Sequence, residues 1–351
     1  MNGYGYGYNE PNYYYTAPRK SFFSRFSEDL NRPGVRSLWT LGLAFGGAML
    51  AQLLLRNIYS LGLYALPAAS EFYNSGELAK MLCEMLYSFV CVALPFMPVL
   101  LLLRGTGRYT TPLPLGAAYS GGRAALLTLA GLGCCFFGNI VSSLFMSWAQ
   151  SMGFRFYSYY EAVNGASSLP ESFPMALLAI AHTALIPALL EELVFRGIIM
   201  QPLRRWGDWF AIISSALLFS LVHANMTQIP FAFIAGVALG YCTVVSGSMW
   251  VGILIHFLNN LLSLVFSALQ SYLPDRAAAP ASAFISYGII AVGAAALLIF
   301  IFKNGRFMRL HRGEYGYIRP KWRYFYLAPP LTGAIIALIY ITMSDIVGFR
   351  S

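Results

Sequence analysis

Two adjacent glutamates, Glu191 and Glu192, followed one helical turn later by Arg196, sit inside the apolar run Met175–Met200. Two apolar runs further along hold His223, and then His256 with Asn260. A carboxylate, two imidazoles and a carboxamide are the groups a hydrolase needs to take a proton from water and to hold the oxyanion that forms on an attacked carbonyl. Their setting sharpens the point. An ionised group at the centre of a bilayer costs roughly 2.5–3.5 kcal/mol on insertion scales, so such groups are rarely idle there. Polar groups on three separate apolar runs predict one shared polar site.

Helical geometry assigns provisional roles. Glu192 and Arg196, four residues apart, share a face and can pair, whereas Glu191 is rotated by about 100° and is left without a partner on its own helix. In the functional reading Arg196 fixes Glu192, and Glu191 projects into a cavity as a base. The plainer alternative is a buried ion pair that locks two helices together. Counting ~1.5 Å per residue from the expected cytoplasmic ends puts Glu191 ~18 Å deep and His223 ~21 Å deep, close enough to meet across antiparallel neighbours. His256 comes out at only ~10 Å, a mismatch that tilt or a deeper helix start must absorb. His256 and Asn260 are one turn apart and present two hydrogen-bond donors to one patch, as a developing oxyanion requires. Helix–helix adhesion explains that pair equally well, and a lone His223 serves as readily as an interface residue. Asn259 is expected to point away.

The elements that must position these groups follow from composition. Hydrophobic residues make up 58% of the 351 and charged residues 11%, and the mean hydropathy is +0.61, so there is too little polar surface to cover a soluble globule. The fold class is an all-α, polytopic transmembrane bundle of about eight to nine spans, near 38–60, 79–103, 124–148, 173–203, 209–225, 229–245, 249–273, 281–302 and 325–346. Cys83, Cys91, Cys134, Cys135 and Cys242 lie in apolar runs without disulfide or zinc-ligand spacing and read as small core residues.

The net charge of +9 gives orientation, not a nucleic-acid footprint. Arginines and lysines collect before the first span, after the second and fourth, and above all between Lys303 and Arg323, all on one side of the membrane by the count. The positive-inside rule then places the N-terminus in the cytoplasm and the C-terminus outside. The expected organisation is a disordered Tyr/Gly-rich cytoplasmic tail at 1–36, N-terminal membrane helices at 37–123, a core at 124–302 with its motifs at 185–265, and a basic loop with a final helix at 303–351. His182 is expected to pack near the outer side, and Arg56 and Glu84 to snorkel or to pair with each other. Pro187 is a candidate kink, Phe219 a packing residue, and Gly236 with Gly240 a close-packing step.

Glu191-Glu192-x-x-x-Arg196, Phe219-x-x-x-His223 and His256-x-x-x-Asn260, in that order on three membrane helices, resemble the motif set of the CAAX protease and bacteriocin-processing (CPBP, or Abi) family, which includes the type II CAAX prenyl endopeptidases. The resemblance implies an intramembrane endopeptidase in which Glu191 and His223 activate a water, His256 and Asn260 stabilise the oxyanion, and Glu192 and Arg196 support them. It also implies the substrate class, a peptide or protein that includes membrane-anchored forms, cut near the cytoplasmic half of a bacterial plasma membrane; the other partner is the lipid bilayer, and nucleic acid is not expected. The alternative is a non-catalytic scaffold or bacteriocin immunity protein of the same family. No cofactor is expected. A zinc-dependent variant would use Glu191, His223 and His256 as ligands, but the ligands are scattered over three helices and only the Arg-paired Glu192 would remain as base.

Overall fold

The computed structural model describes residues 21–105, 113–156, 170, 172–344 and 346. The tail at 1–20 lies outside them, as do Arg108, Glu161 and Glu171. Of the described residues 84% are helical and none forms a strand, so the architecture is an all-α bundle. Among the described residues seven helices are long and apolar enough to cross a membrane: α1 Pro33–Ala65, α2 Glu77–Gly105, α3 Gly121–Ser151, α4 Phe173–Trp206, α6 Ile229–Ser246, α7 Met249–Tyr272 and α8 Asp275–Asn304. Two apolar helices are shorter, α5 Asp208–Val222 and α9 Pro329–Met343. The chain is a multi-pass membrane protein.

Three basic segments gather at one end of the bundle. Arg205 bonds Glu314 at 2.8 Å, Arg204 bonds Asp208 at 2.7 Å, and Asp208 also accepts from the His311 backbone N–H at 2.8 Å. Lys321 donates to the Trp206 carbonyl. The expected boundary of the tail at residue 36 moves. Phe22–Asp29 is a helix whose Phe26 ring meets Trp39 at 5.1 Å and stacks on Tyr324 at 5.8 Å, while Tyr324 donates to Asp29 at 2.6 Å. Order therefore extends below residue 36 because two aromatics and an acid find partners there.

Two departures from regular helix matter for the site. In α4 the turns Ala181–Leu185 and Leu193–Ile199 are widened to the π form, one on each side of the glutamate pair. Such turns arise where an i→i+4 ladder is interrupted; Pro187 lacks the N–H that would bond to Thr183, which accounts for the first. The other departure is the early end of α5. Its 15 residues span only ~22 Å, less than the ~30 Å hydrocarbon core, so its C-terminal residue His223 stays at membrane depth. The stop is enforced by Ala224, which adopts a left-handed φ of 51°, a conformation costly for a residue with a Cβ, and by Asn225, whose Oδ1 accepts from Thr227 at 2.6 Å and from the Gln228 backbone at 3.0 Å.

Close crossings bring the core helices together. Gly236 and Gly240 on α6 pack within the bundle, against Ala216 and Phe219 and against Ile212 and Met200 respectively. On the other side, α3 and α8 cross at Gly133 and Gly293, where a Cβ on Gly133 would lie 2.8 Å from the Gly293 Cα.

Candidate active site

Glu192 and Arg196 form an ion pair with Nη1 to Oε1 at 2.9 Å, and both side chains are fully buried. The approach angle is too poor for a hydrogen bond, so the contact is chiefly coulombic. Arg196 also donates from Nη2 to the Gly236 carbonyl at 3.3 Å, and its guanidinium lies over the Phe219 ring at 4.5 Å. The arginine is thus held from three sides, by α4, α5 and α6.

The same Glu192 oxygen accepts from His256 Nδ1 at 3.1 Å. With Nδ1 donating to a carboxylate, the second nitrogen of the ring is directed at Glu191, 3.8 Å from its Oε2. Glu191 itself is partly exposed to a cavity, whereas Glu192 is not. The two glutamates therefore divide as their 100° separation demands: Glu192 orients a histidine, and Glu191 faces open space.

His223 is fixed in the same manner. Its Nδ1 lies 2.8 Å from the Phe219 carbonyl, which can only accept, so Nδ1 carries the proton and Nε2 keeps a free lone pair in the neutral ring. Phe219 stands between the two histidines, edge-to-face with His223 at 5.0 Å and with His256 at 6.0 Å. It does more than seat its helix: one ring braces both imidazoles and the guanidinium.

A cavity of about 660 Å³ collects Glu191, His223, His256 and Asn260 along its wall. Asn259 lines it too, against the expectation that it points away; its amide donates to Asn260 Oδ1 at 3.3 Å. Asn260 in turn donates to the Thr183 carbonyl at 3.4 Å, inside the first widened turn of α4. That bond uses one of its two N–H groups and leaves the other for a ligand. A second, smaller cavity of about 210 Å³ lies on the other side of Glu191 and His223, walled by Gln52 and Arg56 of α1, Tyr87 of α2 and Leu338 of α9. Glu191 and His223 are common to both walls, so the two side chains stand at the junction of two chambers.

The depth mismatch of His256 has a structural cause. Helix α7 starts recessed, because the segment Leu113–Tyr119 folds beneath it. Met249 donates its backbone N–H to Pro114 at 2.8 Å, Ser248 its hydroxyl to Gly116 at 2.7 Å, and Trp250 its indole N–H to Leu115 at 2.8 Å. Counting from the first apolar residue thus underestimates the depth of His256. Elsewhere, Glu84 pairs with His182 at 2.9 Å and not with Arg56, because α2 and α4 face each other at that level.

Among the described residues, no three His, Cys, Asp or Glu side chains are grouped so as to hold a metal ion. Within the set Glu191, His223 and His256, the inward nitrogen of His256 stands 3.8 Å from a Glu191 carboxylate oxygen, and His256 Nδ1 is taken by Glu192.

Residues 173–262, which carry Glu191, Glu192, Arg196, Phe219, His223, His256, Asn259 and Asn260, match the family model described as type II CAAX prenyl endopeptidase Rce1-like. This segment belongs to the CAAX protease (CPBP) family. The chain is also similar to an "Uncharacterized 24.3 kDa protein" of Escherichia coli, 26% identical over 102 residues, a match covering 27% of this chain and 47% of that protein. The chain thus spans about half the length of that relative. No solved structure matches. The CPBP segment supports a CAAX-type protease kind of function, and the N-terminal helices and α9 close its small chamber.

Proposed function

We propose that this protein is an intramembrane endopeptidase of the bacterial plasma membrane that cleaves a peptide bond of a membrane-associated peptide or protein with a water activated by Glu191 and His223. The observation that carries the reading is the orientation of the two histidines: each has one ring nitrogen committed to a fixed acceptor and the other turned toward the cavity. A scaffold needs no such commitment.

The steps balance on these groups alone. A water between Glu191 and His223 gives a proton to the Glu191 carboxylate as its oxygen attacks the scissile carbonyl, with His223 Nε2 accepting the second water hydrogen bond. The negative charge that develops on the carbonyl oxygen is met by the free amide N–H of Asn260, and by His256 when its ring carries a second proton. Glu191 then returns the proton to the leaving amine as the C–N bond breaks. Arg196, Glu192 and Phe219 touch no reacting atom and act as positioning residues. The mechanism uses no metal.

The test is a set of single substitutions in purified protein, Glu191→Gln, His223→Ala, His256→Ala and Asn260→Ala, assayed for peptide cleavage alongside monodispersity and thermal unfolding. Loss of a general base slows turnover by about 10²–10⁴-fold and loss of an oxyanion donor by about 10²–10³-fold. Well-folded variants that cleave at the wild-type rate remove these residues from the mechanism, and purified wild-type protein that cleaves no peptide returns the chain to the scaffold or immunity-protein class.

A further inference from the structure

The shape of the large cavity says from which side the site is reached, and this inference rests on the peptidase reading only for the word substrate. On α3 the wall is formed by Asn139, Ser143, Ser147 and Gln150, which recur at helical spacing on one face of an otherwise apolar span. Across from them α7 contributes Asn260, Ser263 and Ser267, again one face. Two polar stripes therefore face one another across open space.

Both stripes run away from the basic end. From Gly121, where α3 leaves that end, Asn139 lies ~27 Å and Gln150 ~43 Å along the helix; from Met249, Ser267 lies ~27 Å along α7. The remaining polar wall, Thr227 and Gln228, comes from the α5–α6 connection at the far end. Toward the basic end the lining stops at Cys135 on α3, Phe219 on α5, Leu239 on α6 and His256 on α7. Below that level the bundle is solid: the Ile255 side chain fills the space over Gly131, 2.5 Å from where a Cβ would stand, and the Leu113–Tyr119 segment is bonded across the entrance to α7, with Tyr119 N–H to the Ser246 carbonyl at 3.2 Å.

An asparagine or glutamine turned toward lipid leaves amide groups without partners, at a cost, while a serine there can bond only back to its own helix; a water-filled groove hydrates all of them together. The basic end is the cytoplasmic one by the positive-inside rule. We propose that water and substrate enter the site between α3 and α7 from the face opposite the basic one, and that the substrates are extracytoplasmic peptides or the extracytoplasmic ends of membrane proteins.

The test uses single cysteines in the full-length protein: Ser147→Cys and Ser267→Cys on the two stripes, Gln150→Cys at the mouth, and Arg312→Cys on the basic loop, each compared with the parent protein for labelling of its native cysteines. A membrane-impermeant maleimide applied to intact cells is expected to label 147, 150 and 267, and to label 312 only after permeabilisation. Labelling of 312 in intact cells with 147 and 150 silent reverses the sidedness, and silence of 147 and 267 under both conditions makes the stripes dry packing surfaces; either overturns the proposal. Sealed vesicles then separate it from the peptidase reading. A quenched fluorogenic Ala-Leu repeat peptide added outside is expected to be cut by right-side-out vesicles and not by inside-out ones. Cleavage confined to inside-out vesicles refutes the entry path and leaves the peptidase standing. Labelling as expected with no cleavage from either side keeps the path and removes the peptidase.

Discussion

Replacing Arg196 by methionine removes the only cation that faces Glu192 among the described residues while filling much of the same volume. Both members of the pair are fully buried at 2.9 Å, and breaking such a pair by deleting one partner costs on the order of 3–5 kcal/mol, because the surviving charge has no solvent to turn to. Glu192 is an extreme case, since its second oxygen already lacks any hydrogen-bond partner. The lost contact with the Phe219 face is part of that sum, not an addition to it. The double variant Glu192→Gln, Arg196→Met removes both charges and is expected to recover most of the stability, as neutral replacements of buried pairs commonly do. Turnover is expected to stay low, because His256 Nδ1 then faces a neutral amide and loses its fixed orientation. The assay is thermal unfolding of the four proteins of the cycle in detergent, followed by size-exclusion, with cleavage measured on the folded fractions. A single Arg196→Met variant that loses less than ~1 kcal/mol, or a double variant no more stable than the single, refutes the argument that the pair is held by desolvation.

Gly252→Ala would place a methyl 2.7 Å from Thr243 Oγ1 and 3.0 Å from Glu192 Oε2, and since the glutamate is pinned by Arg196 the expected result is a loss of about 1–3 kcal/mol with reduced turnover; wild-type behaviour in both would mean that Glu192 can yield. Treatment with 1,10-phenanthroline is expected to leave cleavage unchanged, whereas inhibition reversed by added zinc would turn Glu191, His223 and His256 into ligands. The exposed Glu314 has its carboxyl held below the ordinary value of 4.5 by the hydrogen bond from Arg205. A depressed folded value means that this contact contributes above that ordinary value and is lost as pH falls through the folded one. The protection of backbone amides across residues 311–316, relative to their intrinsic exchange rate at each pH, is therefore expected to fall below pH 4.5 in the wild type and to show no such step in Glu314→Gln.

The helix count was legible because apolar runs of bilayer length announce themselves, and the different directions of Glu191 and Glu192 were legible because one residue of helix always turns a side chain by about 100°. The depth of His256 was not. It depends on the Leu113–Tyr119 segment folding beneath α7, a contact between residues more than a hundred positions apart that no local pattern encodes. Asn259 was misjudged for a related reason: on a helix that leans across the cavity, i+3 and i+4 both reach the wall. The α3 stripe, Asn139 to Gln150, was readable as polar groups at helical spacing in an apolar span, but only the opposing α7 face gives it a meaning. Arg56 and Tyr87 carry no motif, and the chamber they wall is made by the meeting of α1, α2 and α9 with the CPBP segment.

The two widened turns of α4 set a limit on how this chain can change length. Each already accommodates one residue more than a regular ladder would in about the same turn, so a further residue added within Leu193–Ile199 has no such outlet and would swing Glu191 and Glu192 by about 100° about the helix axis relative to the buried Met200–Leu203 anchor. Side-chain substitutions along α4 act locally, but an insertion there acts as a rotation of both acids at once. In evolution or in the laboratory, this segment is expected to drift in composition while gaining no residue.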